Sequence, residues 1–378
     1  MKTSVFTKLA LARPRTAGIA VAALAACGAA LAATPAQAGY SFEIINDPND
    51  KPFPLPPATG GVTFTNLMGI TSNGDTIPGF YGSGQAGDPN TGFVLTLPKT
   101  FTASNATFPG LAPPFNAAQT QMTAINGNGT TFTGYTYPTN TGVATDFQFG
   151  FYEQGGVFHM VNNSKTPDCG MGVCDPGVIT ENQLIGVNNA NLAVGFYNDI
   201  HGDSHGYTFD IATKTFSADI NFPGAVSTVT AAINNLDDIT GFYTDSMGTH
   251  GFIDDSGHFT TVDPPGATET QLLGLNDNGI AVGFAMIGGF QHGILYNSLT
   301  KMFTILDPPG STQTTLNGLN NAGDVVGFFV DAAGNTDGML GIPVPEPMTW
   351  VMILTGFIGL GWLVLGRSRQ SQVARAAL

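Results

Sequence analysis

The sequence predicts an all-β protein, a closed ring of six repeated four-stranded units between an export leader and an apolar tail. Three observations lead there. The composition is rich in turn formers, a unit of about 44 residues recurs along the chain, and one strand is displaced from the last unit to the front of the first.

The 378 residues include 50 Gly, 24 Pro and 27 Phe, with 42% hydrophobic and only 10% charged side chains. That much apolar side chain can bury a core, so the chain is not disordered. Gly and Pro at this density, without a collagen period, imply many short strands joined by tight turns. The formal net charge is −15. Between Gly39 and Gly341 the only cations besides His are Lys51, Lys99, Lys165, Lys214 and Lys301, with no Arg. Such a surface repels phosphate backbones, which argues against nucleic acid as a partner.

Four segments align without gaps: GVNNANLAVGFY from Gly186, AINNLDDITGFY from Ala232, GLNDNGIAVGFA from Gly274 and GLNNAGDVVGFF from Gly318. Their starts lie 46, 42 and 44 residues apart. Two looser copies precede them, GITSNGDTIPGFY from Gly69 and AINGNGTTFTGY from Ala124. In each, an apolar run enters an Asn/Asp/Gly turn and a second run leads to a Gly-aromatic step. Asn and Gly tolerate the positive φ that hairpins need. A third strand is marked by Gly92-Phe93, Gly150-Phe151, Gly206-Tyr207, Gly251-Phe252, Gly293-Ile294 and Gly338-Met339. A fourth begins at Phe101, Phe158, Phe216, Phe259 and Phe303.

Four strands per unit of this length is the arithmetic of a β-propeller blade. The sixth unit ends at Leu340 without a fourth strand, while FEIINDP, Phe42 to Pro48, opens the mature chain and matches FTILDPP. Pairing that first strand into the last blade closes the ring and hides the edges an open array would leave. The expectation is a six-bladed β-propeller closed by its N-terminal strand. The alternative is a β-solenoid, which gives no reason for the displaced strand.

The units resemble the bacterial HAF extracellular repeats, named for a His-Ala/Gly-Phe step. His250-Gly251-Phe252 matches best, His205-Gly206-Tyr207 and His292-Gly293-Ile294 match in part, and the first, second and last units lack the His. The resemblance covers most of Asn66 to Leu340 and implies a surface or secreted repeat protein with no known chemistry. Residues repeated by blade are ordinarily structural, so His205, His250 and His292 are expected to bond neighbouring turns rather than a metal.

Acidic turns at Asp199, Asp203, Asp245, Asp331 and Asp337 offer hard oxygen ligands for Ca²⁺, but none fits the twelve-residue Ca²⁺ loop, and turn chemistry alone requires such residues. No cofactor is expected. A glycosidase needs two carboxylates roughly 5–10 Å apart, and no unit's acids stand out from the repeat. No nucleophile elbow, zinc helix, Walker loop or dinucleotide fingerprint occurs. The expectation is a protein without catalytic activity, with a secreted propeller enzyme acting on polysaccharide as the alternative.

Cys169 and Cys174 lie in the least repetitive stretch, Asn162 to Asn182. Four-residue spacing in an oxidising compartment suggests a disulfide-closed loop, and half a metal site with His159 is the other reading.

Residues 1–38 read as a signal peptide: Lys2, Lys8, Arg13 and Arg15, a long apolar run, then Ala36-Gln37-Ala38 before a signal peptidase cut between Ala38 and Gly39. Leu24-Ala25-Ala26-Cys27 offers a rival lipoprotein signal. Residues 39–341 form the propeller, 342–347 a linker, 348–366 an uncharged apolar span and 367–378 a basic tail. Nineteen apolar residues suffice for a transmembrane helix. Arg367 and Arg369 behind it place the tail in the cytoplasm and the propeller outside.

Pro345-Glu346-Pro347, the apolar span and Gly366-Arg367-Ser368-Arg369 together resemble the PEP-CTERM sorting signal of Gram-negative bacteria. The resemblance implies recognition of Pro345, Glu346 and Pro347 by an exosortase, with transfer from a membrane-held precursor to the cell surface, often alongside exopolysaccharide production. Prolines keep such a segment extended and open to a processing enzyme. The expected function is therefore that of an exported, surface-sorted repeat protein of the extracellular matrix or biofilm. Polysaccharide is its candidate partner. A permanently anchored binding protein is a further alternative.

Overall fold

The structure, a computed structural model, describes residues 39–49, 64–82, 90–104, 119–137, 148–166 and 181–344. Every regular element among them is a strand. The first unit contains β2 (Thr65–Leu67), β3 (Thr76–Tyr81), β4 (Thr91–Thr96) and β5 (Thr100–Ala103), after β1 (Gly39–Ile44). The second contains β6 (Gln119–Ile125), β7 (Thr131–Tyr137), β8 (Phe149–Gln154) and β9 (Val157–Val161). The third contains β10 (Asn182–Val187), β11 (Leu192–Asn198), β12 (Ser204–Asp210) and β13 (Thr215–Phe216). The fourth contains β14 (Ser227–Ile233), β15 (Ile239–Asp245), β16 (Gly248–Asp255) and β17 (His258–Val262). The fifth contains β18 (Ala267–Leu275), β19 (Ile280–Ile287), β20 (Phe290–Asn297) and β21 (Met302–Ile305). The last contains β22 (Gln313–Leu319), β23 (Val325–Val330) and β24 (Thr336–Val344).

The displaced strand lies where the repeat count requires it: β1 pairs with β24 in the order β1-β24-β23-β22. Beyond the strand, the Ile45 amide donates to the Gly338 carbonyl at 2.8 Å. Inner strands pack in cyclic succession, β3 on β6, β7 on β10, β11 on β14, β15 on β18, β19 on β22 and β23 back on β2. That closure is a propeller and rules out an open solenoid stack.

The expectation of six separate blades is corrected. Hydrogen bonds join the strands into five sheets, four of them four-stranded blades. The fourth and fifth units form one eight-stranded sheet, joined where Thr249 of β16 bridges Glu269 of β18 in parallel. Only Asp263–Gly266 links β17 to β18, the shortest outer-to-inner connection in the ring, so the long β18 is drawn against its predecessor. The expected C-terminal transmembrane helix is corrected as well. The fold runs to Val344 in a strand, the described residues contain no helix long and apolar enough to cross a membrane, and 348–366 lies outside them.

The first strand of every unit but the first carries a β-bulge just before a Gly or Ala, as between Leu184 and Gly186 and between Leu272 and Gly274. The bulge brings neighbouring inner strands nearly into backbone contact. A Cβ on Gly274 would lie 3.0 Å from the Gly318 Cα, so only small residues fit there. The hairpin that follows takes its left-handed residue three positions after the Asn. It is Asn191 (φ 61°), Asp237 (φ 66°) and Gly279 (φ 70°) in successive units, which is the role the Asn/Gly turn was expected to play.

Aromatic side chains fill the space between sheets. Phe93, Phe151, Tyr207 and Phe252 are fully buried at the third-strand position. Each packs against the fourth-strand Phe, at 5.3 Å from Phe93 to Phe101 and 5.2 Å from Phe151 to Phe158.

Candidate functional site

The hairpins between first and second strands ring the axis at one end of the propeller. Their Asn residues do two things at once. Asn188 Oδ1 accepts the amides of Ala190 at 3.0 Å and Leu192 at 3.1 Å, closing its own turn. Its Nδ2 donates to the Asn234 carbonyl of the next unit at 3.2 Å. Asn234 repeats this onto Asn276 at 3.3 Å, Asn276 onto Asn320 at 3.0 Å, and Asn320 onto Thr71 at 3.5 Å. Ser72 N donates to the Gly127 carbonyl at 3.1 Å, and Asn128 N to Asn189 Oδ1 at 3.0 Å, completing the circuit.

Inside this circuit is a cavity of about 80 Å³, floored by one aliphatic side chain per unit: Ile70, Ile125, Val187, Ile233, Leu275 and Leu319. Its lining contains a single carboxylate, Asp277. Asp277 accepts from Asn235 N at 2.8 Å, Asn235 Nδ2 at 2.9 Å and Asn321 Nδ2 at 2.8 Å. Burial works against its charge, but those bonds outweigh it and hold the carboxyl below the ordinary range. With its aliphatic floor, this is the axle end of the ring.

The other end carries the histidines and the acidic turns. His250 Nδ1 meets Asp263 Oδ2 at 2.7 Å, and its Nε2 lies 3.5 Å from Asp245. His292 meets Asp307 at 2.7 Å, and His205 meets Asn221 at 3.0 Å and Asp199 at 3.3 Å. Each partner of Nδ1 sits in the link to the next unit, so the histidines tie successive units together and do not converge on a common point.

Three of the acids offered for Ca²⁺, Asp199, Asp245 and Asp331, are engaged by their own turns. Asp199 Oδ1 accepts from His201 N at 2.8 Å and Asp203 N at 3.1 Å. Asp331 Oδ1 accepts from Ala333 N at 2.8 Å and Asn335 N at 2.9 Å, and its Oδ2 accepts from Asn335 Nδ2 at 2.9 Å. Among the described residues, no group of three or more His, Cys, Asp or Glu side chains is arranged to hold a metal ion.

Pro345, Glu346, Pro347, Arg367, Arg369, Cys169, Cys174 and Ala38 lie outside the described residues, and Gly39 begins β1. Sequence reasoning missed a second cavity at the axle end, of about 210 Å³, between the fourth and fifth units. Its signal was available in the aligned units: Phe151-Tyr152 in one corresponds to Phe252-Ile253 in another.

The fold defines the class, a β-propeller. No protein-family model and no curated protein matches the chain. Solved structures match it in fold at low identity. A protein of unknown function from Dyadobacter fermentans is 11% identical with a TM-score of 0.50, over 80% of this chain and 98% of that one. A putative TolB from Agrobacterium tumefaciens is 10% identical with a TM-score of 0.48, over 82% of this chain and all of that one. A sialidase from Trypanosoma rangeli is 8% identical with a TM-score of 0.48, over 86% of this chain and 63% of that one. The likeness is in fold alone, and it includes an enzyme.

Proposed function

We propose that this propeller is an exported, non-enzymatic binding protein of the cell surface. It is delivered through recognition of Pro345-Glu346-Pro347 by an exosortase and associates with extracellular polysaccharide. The observation that supports it best is the use of the chemically active side chains within the ring. The repeated His, Asp and Asn residues are spent on turns and on joins between units. The axial cavity contains one carboxylate, where hydrolysis of a glycosidic bond needs two. An acidic surface without Arg suits a neutral glycan better than a polyanion.

Two measurements test this reading. Intact-mass analysis of the mature protein from cells with and without the exosortase should show a shortened C-terminus only when the enzyme is present, and an unprocessed C-terminus in both would overturn the sorting step. A glycan array probed with the mature protein should show binding without product release, and turnover of any bound glycan would overturn the non-enzymatic assignment.

A further inference from the structure

Two clefts in the ring are built on the same plan, and one is filled where the other is empty. Between the second and third units, the ring of Tyr152 occupies the cleft and is 2% exposed. His159, its cross-strand neighbour, stacks on one face with centroids 4.6 Å apart and planes 13° apart. Lys214 of the next unit sits 4.2 Å from the ring centroid and hydrogen-bonds the phenol oxygen.

Between the fourth and fifth units the corresponding residues are smaller. Ile253 stands in the place of Tyr152, and its cross-strand neighbour is Thr260 in the place of His159. Lys301 keeps the place of Lys214: both have φ of 59°, and each backbone amide donates across its turn at 2.8 Å. With the tyrosine gone, the Lys301 ammonium has no hydrogen-bond or ion-pair partner among the described residues. The space left is the cavity of about 210 Å³. Its apolar wall is Ile253 and Tyr296, and its polar rim includes Asp238, Asp255 and Lys301.

We propose that this cleft binds one neutral pyranose ring of a polysaccharide, in the place a tyrosine ring holds between the second and third units. The inference rests on the proposed association with polysaccharide for its class of ligand and adds the site. Size sets the limit at one ring, since the volume is below the roughly 300–1,000 Å³ of pockets for drug-sized ligands. Chemistry selects a hydroxylated ring over a phenyl ring. Carboxylates on one side accept from sugar hydroxyls and an ammonium on the other donates to them, while the Tyr296 and Ile253 surfaces meet the C–H face. Affinity for a single ring in so open a cleft is on the order of millimolar.

The test uses the mature protein and methyl pyranosides of glucose, galactose and mannose, read by saturation-transfer NMR. Ile253→Tyr rebuilds the filled cleft. It should hold or raise the melting temperature and weaken pyranoside binding at least tenfold. Lys301→Gln, at an exposed turn position, should weaken binding several-fold without touching the core. Tyr152→Ile should open a second cleft and raise the number of bound rings. Unchanged binding in Ile253→Tyr and Lys301→Gln overturns the site and leaves polysaccharide association standing. No binding of any pyranoside by the unsubstituted protein overturns both. Binding of phenol in preference to the pyranosides overturns the sugar assignment alone.

Discussion

Asn46 and Asp337, 291 positions apart in the chain, are joined at 2.7 Å from amide nitrogen to carboxylate. The Gly338 amide donates back to Asn46 Oδ1 at 3.1 Å. The pair reproduces His250 with Asp263, with acceptor and donor exchanged between the strands, and it is the polar lock of the ring closure. Asn46→Ala should cost about 1 kcal/mol, the usual net value of a hydrogen bond. Removing residues 39–47 should cost far more and leave the β24 edge open to other chains. Denaturant midpoints check the first, and light scattering at rising concentration checks the second. A monomeric, equally stable truncation would refute the closure.

Asn276 is buried and caps its own turn while donating to Asn320. Asn276→Ala strands the Asn278 and Ile280 amides and removes one of two bonds to the Asn320 carbonyl, which keeps the Gly323 amide, so a loss of about 2–3 kcal/mol follows from the cost of unpaired buried polar groups. Asn276→Asp keeps the turn acceptor but loses the donor, and it should fall between the two. Chemical denaturation of the three proteins orders them.

Tyr207 is fully buried, and its hydroxyl donates to Asn182 Oδ1 at 2.8 Å. Burial pushes its ionisation well above the ordinary tyrosine range. Tyr207→Phe keeps the ring and orphans the amide oxygen, so it should lower stability by about 1–2 kcal/mol. A neutral result in denaturant titration would mean that Asn182 finds another donor.

Gly274 faces the next inner strand with no room for a branched side chain. Ala124 and Ala232 occupy the same position in other units, so Gly274→Ala should be mild. Gly274→Val should cost about 2–3 kcal/mol more through overpacking at the axis. Equal melting temperatures for the two variants would show that the inner strands can move apart.

Asp277 supplies the pH dependence of the axle end. Its folded value is depressed, so the stabilisation it gives is complete above the unfolded carboxylate value. That stabilisation is lost as pH falls below about 4 toward the folded value. Asp277→Asn should flatten the acid limb of a stability-against-pH curve and leave the curve near neutrality lower by about 1 kcal/mol, the loss being moderated by partial exposure. An unchanged acid limb would assign the titration elsewhere.

Much of the fold was legible because it repeats. The Asn-x-x-Asn/Asp/Gly turn and the Gly-aromatic step mark strand ends directly, and the orphaned FEIINDP betrays the closure. What escaped the sequence depends on lengths and contacts between units. The four-residue link that fuses two units into one sheet looks like any other Asp-Pro-Pro-Gly turn until its neighbours' links are measured in space. The Asn side chains were legible as turn formers, but their second bond, from one unit to the next, needs the ring to be closed. The cleft beside Lys301 is the clearest case. It is a difference between two repeats, Tyr152 against Ile253, and reading repeats for their likeness conceals it.

The strand that completes the last sheet is the first part of the fold to leave the ribosome, and its partner β24 is the last. A chain made from its N-terminus therefore carries its own fastener ahead of it, unfastened, until β24 has followed. During that interval the order of events is constrained by time as well as by geometry. Whatever protects the waiting strand through that interval governs how much of the protein becomes a ring.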